Sequence, residues 1–435
     1  MLLDNREDSG KRYNAKIVVG YDLGDLFSQV SYYAFGDEEP CTVSPVTGTE
    51  QYNIPTVLCK RTGVSQWYYG KEALKNQGEQ GILVDHLLEK ALVGEEVLVE
   101  NDTFDPVALL TLFIKRSLAM LNMQVSLSRA EVFMFTVDEL TPRMVEVLSK
   151  VVSGLQLKCP QICFQSHVES FYYYMLHQQQ ELWKREVFVF EFNDYMKTLH
   201  FQCNRHTTPK VVFIERQGYS DFTRATWEED ESLRVLQQQK LDEDFGDLCI
   251  GSLQNTDVST IFLIGEGFKE GWTKESLKIL CHNRRVFQGN NLYSKGACYA
   301  AMDKEKPSEV TREYVYLGED KLKANIGMKA LRRGEESYLA ILDAGVNWYE
   351  AKADFDLIME SGNVLCFTIT PLTGENIIDR TITLDGLPER PRCTTRLRIH
   401  AEMTDIHTLS LEITDLGFGE LFKSSGRAWI HTLQV

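Results

Sequence analysis

Apolar residues along the chain cluster into short runs separated by charged turns. Lys16 to Tyr21 (KIVVGY) reads as a buried strand, Asp22-Leu23-Gly24-Asp25 as a turn, and Phe27 to Phe35 as a second strand, so the pair predicts a hairpin. Asp105-Pro106 is an N-cap followed by a proline suited to the first helical position. Leu110, Phe113, Ile114, Leu118 and Leu121 then keep helical spacing. Glu131 to Val137 predicts a strand. Thr141-Pro142 opens another helix, with Gly154 as its expected stop. A strand from Gln161 to Phe164 leads into a helix through Tyr172 to Leu176, completing a β-α-β unit that predicts parallel strands.

A second hairpin follows: Glu186 to Glu191, a turn at Asn193-Asp194, then Thr198 to Cys203, with Val211 to Glu215 as a further strand. Arg224 to Asp247 is polar and Gln-rich with a weak apolar stripe, and is expected to form at most a short helix. Ile261 to Ile264 predicts a buried strand, and Thr273 to Leu280 a helix. From about residue 303 the pattern changes. Asp303 to Glu313 is charged, holds Pro307, and reads as a linker. Beyond it, Leu397, Ile399, Ala401 and Met403 alternate with polar residues, as do Leu409, Leu411 and Ile413. That period predicts antiparallel strands in a compact sandwich. The expected organisation is a polar tail over 1–14, an α/β domain over 15–303, a linker over 304–313 and a β-sandwich over 314–435.

A length of 435 residues fits two or three domains. The formal charge of −17 sets an acidic surface against phosphate backbones, which argues against nucleic acid and anionic membrane as partners. No apolar run approaches the ~20 residues of a bilayer span, and the N-terminus has no signal-peptide core, so a cytoplasmic location is expected. The ten cysteines are scattered, many in apolar runs such as Leu365-Cys366-Phe367, and read as reduced structural residues. Cys159 and Cys163 have no second pair for a zinc site, and the nine histidines form no HExxH spacing, so no metal site is expected.

The hairpin GYDLGDLFSQVSYY (20–33) is similar to the phosphate-1 loop of the actin/Hsp70/sugar-kinase superfamily. IPTVLCKRTGVSQWYYGKEALKNQ (54–77) resembles the Hsp70 segment ending in G-x-A-x-K-N-Q. EVFMFTVDELTPRMVEVLSKVVSGLQ (131–156) and SHVESFYYYML (166–176) resemble the strand, turn and helices around the family's E-P-T-A-A-A motif. IFLIGEGFKEGWTKESLKIL (261–280) is similar to the adenosine motif, and YSKGACYAA (293–301) to its closing helix. TITLDGLPERPRCTTRLRIHAEMTDIHTLSLEITD (381–415) resembles the Hsp70 peptide-binding β-domain. The ordered set resembles a divergent, shortened Hsp70-like protein. It implies an α/β actin-like (ribonuclease H-like) two-lobed ATPase fold followed by an all-β sandwich.

The resemblance implies ATP or ADP with magnesium as cofactor. Asp22 would orient magnesium-bound water, and Gly24 would let backbone N–H groups approach the phosphates. Lys75 falls where the family places its catalytic lysine, one residue out of register, with a solvated helix lysine as the other reading. Several positions depart from the pattern. Asp25 replaces a phosphate-binding hydroxyl. The phosphate-2 hairpin D-L-G-G-G-T aligns with Glu191-Phe192-Asn193-Asp194-Tyr195-Met196, which has no glycine. Tyr195 is expected to crowd the approaching backbone, and Asp194 to repel phosphate. In the adenosine motif Gly265 and Gly267 remain, but Glu266 replaces a glycine. The residue acting on the attacking water falls at Ser166 or His167, neither a carboxylate, and a lone histidine at a buried helix start is expected to be structural. The sequence therefore predicts a pseudo-ATPase scaffold that holds a protein or extended peptide. The end of the chain at Val435, after an expected strand, predicts a sandwich without a helical lid. The alternatives are an active chaperone-type ATPase, with Glu191 or Asp194 holding magnesium, and a small-molecule kinase of the same superfamily.

Overall fold

The computed structural model describes residues 15–46, 48–78, 80–206, 208–289, 291–332, 335–372 and 377–435. The expected polar tail, 1–14, lies outside them. The chain divides into two compact units between Tyr316 and Leu317.

Two mixed sheets organise the first unit. The first holds β1 (Ile17–Leu23), β2 (Phe27–Ala34), β3 (Cys41–Thr42), β4 (Ala130–Val137) and β5 (Gln161–Ser166) in the order β3-β2-β1-β4-β5, with Ile54–Pro55 also paired to β2. β1, β2 and β3 run antiparallel, whereas β4 and β5 join β1 in parallel. The second sheet holds β6 (Glu186–Phe192), β7 (Tyr195–Asn204), β8 (Lys210–Thr223), β9 (Val258–Ile264) and β10 (Arg285–Gln288) in the order β8-β7-β6-β9-β10. Its strand directions repeat those of the first sheet. The two halves thus share one topology without an evident sequence repeat. In both, the central strand is a continuous apolar run because both of its faces are covered: β1 and β6 are buried along nearly their whole length.

The α-helices among the described residues are α1 (Gly70–Lys75), α2 (Leu87–Val93), α3 (Pro106–Leu118), α4 (Pro142–Leu155), α5 (His167–Leu176), α6 (Glu231–Ser252), α7 (Glu275–Leu280), α8 (Leu292–Glu305) and α9 (Glu309–Glu313). Capping follows the sequence. Asp105 accepts from the Val107 N–H at 3.0 Å, Thr141 from Met144 at 3.2 Å, and Ser166 from Glu169 at 3.3 Å. Gly154, expected as a stop, lies inside α4. A β-carbon there would meet the Thr111 methyl at 3.1 Å, so this glycine lets α4 pack close to α3. The left-handed residue that ends α4 is Gln156, with φ 52°. One described segment, Pro106–Met123, is long and apolar enough to cross a membrane. It is α3 with the turn after it, and Leu109, Leu110, Phe113, Ile114 and Leu118 bury its apolar side.

Other boundaries also differ from expectation. β8 runs to Thr223, eight residues past Glu215, as a mostly exposed strand held by its ladder to β7. α6 is a 22-residue helix rather than a short one. Its stripe is weak because only its C-terminal half is anchored, by Phe245, Cys249 and Asp242. The Asp242 carboxylate accepts from the N–H groups of Lys274, Glu275 and Ser276 and so caps α7 from a neighbouring element. The expected linker, 304–313, is largely helical: α8 continues to Glu305, and Ser308 caps α9. The next residues form β11 (Tyr314–Tyr316), which adds to β8 in parallel. Its aromatic rings explain this. Tyr314 and Tyr316 are buried, the Tyr172 hydroxyl donates to the Tyr314 carbonyl at 3.1 Å, and the Tyr316 ring stacks on Tyr172 at 5.4 Å.

α5 and α8 follow the last strands of their respective sheets and cross each other. A β-carbon at Gly296 would lie 2.0 Å from the Ser170 carbonyl oxygen. One at Gly20 of β1 would lie 2.4 Å from the Ser294 carbonyl oxygen. α8 therefore carries small residues, with Ala297, Cys298, Ala300 and Ala301 buried against Val18, Val132 and Met134.

The second unit is all β. β12 (Ala324–Arg332), β13 (Glu335–Leu342), β15 (Val364–Pro371) and β16 (Ile378–Thr383) form one antiparallel sheet in the order β13-β12-β15-β16. β14 (Lys352–Met359), β17 (Thr395–Met403), β18 (Thr408–Gly417) and β19 (Ala428–Gln434) form the other, in sequence order. The alternation read from the sequence is the burial pattern of β17 and β18, where Leu397, Ile399, Ala401, Met403, Leu409, Leu411 and Ile413 are buried. The loop before β17 is pinned by Arg390, whose guanidinium donates to both Asp415 oxygens at 2.8 and 2.7 Å. Asp415 also accepts from the Gly417 and Ser425 N–H groups. These four donors hold its carboxyl well below the usual carboxylate range. None of the ten cysteines is in a disulfide.

Two stability outcomes follow. Gly296→Ala drives a methyl group into the Ser170 carbonyl and is expected to destabilise the first unit by about 1–3 kcal/mol, despite the better helix propensity of alanine; urea unfolding measures it. Asp415→Asn leaves the Arg390 guanidinium buried without its charge partner and is expected to cost the second unit about 3 kcal/mol or more, read as an earlier calorimetric transition.

Candidate functional site

A cavity of about 430 Å³ opens between the two sheets of the first unit. Asp22 near the end of β1 and Glu191 near the end of β6 occupy corresponding places in the two halves. His167, the first residue of α5, bonds through Nε2 to Asp22 Oδ1 at 2.8 Å. Tyr293, in the first turn of α8, donates its hydroxyl to Glu191 Oε2 at 2.7 Å. Each ring is thus tied to the carboxylate of its own half. The two rings stack face to face, with centroids 3.9 Å apart and planes 6° from parallel. The Ser170–Gly296 crossing lies three residues beyond each ring, and this brings the helix starts together.

The electrostatics favour this arrangement. Burial works against a charged His167, but the negative charges of Asp22, Asp138 and Glu191 outweigh it and raise the imidazole above its ordinary value. An imidazolium over the Tyr293 face gains a cation–π contribution of about 0.5–2 kcal/mol. Burial, the Glu191 charge and its hydrogen bond push the Tyr293 phenol well above its ordinary value, so it remains a neutral donor. Asp138, after β4, accepts from Lys197 at 2.8 Å and from Arg216 at 2.8 Å, and lies 3.7 Å from His167 Nδ1. Desolvation works to raise its carboxyl, but His167, Lys197 and Arg216 together bring it down to about 2.

Most of the expected site residues lie at the cavity; Lys75, Glu266 and Gly267 are not in its wall. Asp22, Gly24, Asp25, Glu191, Asn193, Asp194 and Gly265 do line the cavity. Their donors and acceptors are largely engaged within the protein. The Gly24 N–H closes its own turn on the Phe27 carbonyl at 3.1 Å. Asp25 binds His86 Nδ1 at 2.5 Å and the Glu89 N–H at 3.0 Å. Asn193 donates to Glu191 Oε1 at 3.0 Å and accepts from the Glu266 N–H at 3.2 Å. Gly265 and Gly267 are required by packing: β-carbons there would lie 2.3 Å from the Phe192 carbonyl oxygen and 2.4 Å from the Phe192 ring. Glu266 accepts from Lys269 and from Asn53, which itself accepts from Gln29 of β2, so a polar chain joins the halves.

Lys75 is not brought to the others. It sits exposed in the last turn of α1, outside the cavity wall, because the apolar side of that helix is Gly70 and Ala73. The lysine at the cavity is Lys197 of β7. Tyr195 does not crowd the cleft. Its ring lies 3.4 Å from the position of a Gly218 β-carbon, beneath the Lys197 ammonium. Sequence reasoning missed Tyr293, Asp138 and Lys197 and set His167 aside. The available signals were a tyrosine opening the small-residue helix and an acidic residue directly after a buried strand. Asp25 of the β1–β2 turn and His86 and Glu89 at the start of α2 bring metal-ligand atoms within 4.8 Å of one another, with Asp25 also lining the cavity.

His167 bears on pH dependence. A raised folded value means that its stabilisation is fully present below the ordinary histidine value of 6.5 and is lost as pH rises through the folded value. The melting temperature is therefore expected to fall on the alkaline side of 6.5 and this limb to flatten in His167→Gln, measured by thermal denaturation across pH.

Comparison with known proteins agrees with the division of the chain. Residues 39–319 match the family described as Family of unknown function (DUF5716) C-terminal. Residues 321–435 match Domain of unknown function (DUF8552), so the two matches meet near the Tyr316–Leu317 division. No curated protein matches the chain. The first match spans well over half of the sequence, and the chain belongs to the DUF5716 C-terminal family.

Proposed function

We propose that this chain is an Hsp70-like scaffold. Its first unit is an actin-like two-lobed domain that has lost ATP turnover, and its second unit holds a protein partner or an extended peptide. The repeated β3-β2-β1-β4-β5 order in both sheets, with α5 and α8 crossing between them, supports the actin-like reading. The antiparallel second unit is compatible with β-type peptide recognition, in which backbone hydrogen bonds and alternating side-chain pockets hold an extended segment.

The observation that carries the loss of ATP turnover is the stacked pair His167 and Tyr293, bonded to Asp22 and Glu191. In an active member, Asp22 and the residue at Glu191 would face magnesium and phosphate. Here they accept from His167 and Tyr293, whose rings stack on each other at the cavity. Electrostatics point the same way. Six carboxylates line the cavity, and its two cationic side chains, His167 and Lys197, are already paired with Asp22 and Asp138. A like-charge contact at ~4 Å costs about 4 kcal/mol at an effective dielectric of ~20, roughly half of the free energy of micromolar binding.

Titration calorimetry of the full chain with Mg-ATP and Mg-ADP tests this, alongside a steady-state ATPase assay with Asp22→Ala as control. The expected outcome is no saturable heat in the micromolar range and no turnover above that of the Asp22→Ala protein. Micromolar binding with turnover that Asp22→Ala abolishes would return the chain to the active ATPases.

A further inference from the structure

We propose that Asp138, held by Lys197 and Arg216, is a charge latch. It keeps the two halves of the first unit closed over the cavity, and its release lets them part about the α5–α8 crossing. The latch belongs to this chain's own residues and does not rest on what the cleft binds.

The strand orders put two cross-links on opposite sides of the central strands. β2 and β4 flank β1 in the first sheet, and β9 and β7 flank β6 in the second. Asn53, next to the Ile54–Pro55 segment paired with β2, donates to Glu266 after β9. Asp138, directly after β4, accepts from Lys197 of β7 and Arg216 of β8. Asp22 and Glu191, from the central strands, lie between these links, and the cavity is lined from both halves.

The two links differ in chemistry. The first is made by a neutral amide, and its glutamate is shared with Lys269. The second is ionic. Lys197 Nζ lies 2.8 Å from Asp138 Oδ2, and Arg216 Nη2 reaches both carboxylate oxygens at 2.8 Å. Arg216 Nη1 also donates to the Asp138 carbonyl at 3.4 Å, so the same guanidinium holds the main chain after β4. An isolated surface ion pair contributes little, whereas a carboxylate shared by two cations forms a network. Other charges act on this network through space: Glu139 on Arg216, Glu191 on Lys197, and His167, whose Nδ1 is 3.7 Å from Asp138 Oδ1.

The two kinds of contact between the halves also differ in what it takes to break them. The Asp138 side chain is 43% exposed, so water can replace its partners without unpacking a core. At the crossing of α5 and α8, by contrast, Gly296 meets the Ser170 backbone among buried side chains. Separation there costs packing. The crossing is therefore the pivot, and the ion pairs are the part that can be released.

Double electron–electron resonance on the full chain tests the latch. Nitroxide labels are placed by bio-orthogonal chemistry at Lys150 of α4 and Lys278 of α7, exposed positions in the two halves. The parent protein is expected to give one label-to-label distance distribution. Asp138→Asn and Arg216→Gln, which cut the latch from opposite sides, are each expected to add a longer population at the expense of the first. Arg185→Gln breaks an ion pair with Asp257 outside the cavity wall and is expected to change nothing. Hydrogen exchange in β1 and β6 is followed alongside and is expected to stay at the parent level, which separates parting of the halves from unfolding. An unchanged distribution in both Asp138→Asn and Arg216→Gln would overturn the proposal. So would an equal shift in Arg185→Gln, or a longer population that arises only together with lost protection in β1 and β6.

Discussion

The crossing of α5 and α8 is the constraint on which the first unit depends. Helices whose backbones meet at a carbonyl oxygen and a glycine leave no room for a side chain, and Gly296 against Ser170 is such a contact. Gly20 repeats the condition one layer down, where α8 lies on the central strand of the first sheet. Once these contacts are made, the two helix starts are fixed relative to each other and to the ends of β1 and β6. The stacking of His167 on Tyr293 and their bonds to Asp22 and Glu191 follow from that placement. Packing of small residues in one layer thus sets polar geometry in the next.

The same logic changes the meaning of the retained glycines. Gly265 and Gly267 resemble ligand-approach positions when read as a motif. In the folded chain they are the surface on which Phe192 packs, and Phe192 belongs to a cluster with Phe245, Phe268 and Trp272. A bulky residue in the hairpin after β6 and a glycine-bearing turn after β9 are complementary halves of one contact. Glycine in a motif reports that something comes close, and here the neighbour is the protein itself. The acidic groups follow a related rule. Asp138 is bonded directly to two cations, whereas Glu191 takes its hydrogen bonds from the neutral Tyr293 and Asn193 and acts on Lys197 and His167 through space.

Much of the local structure was legible in the sequence. Cap-plus-proline starts at Asp105 and Thr141 are local hydrogen-bond chemistry, and the alternation in β17 and β18 follows from the period of a strand with one buried face. The hairpins β1–β2 and β6–β7 were readable for the same reason. The failures share another character. β11 carries too few residues to show a period, and it forms because Tyr172 and the edge of β8 are waiting for it. α6 lacks an apolar stripe because its N-terminal half is largely exposed, and Asp242 acts on α7 rather than on its own helix.

The sequence by itself determined the strands, the caps, the strand-to-helix order and the charge of the chain, because these depend on residues within a few positions of one another. It also placed Glu191 at the end of its strand and Asp22 in the turn directly after its own, which the structure takes into the strand. Only the tertiary structure decided what those carboxylates face. Lys75 stayed at the surface and Lys197 entered the cleft, while His167 and Tyr293 were brought within stacking distance from helices far apart in the chain. Such pairings are set by the crossing of whole elements, and no local pattern encodes the point at which two helices touch.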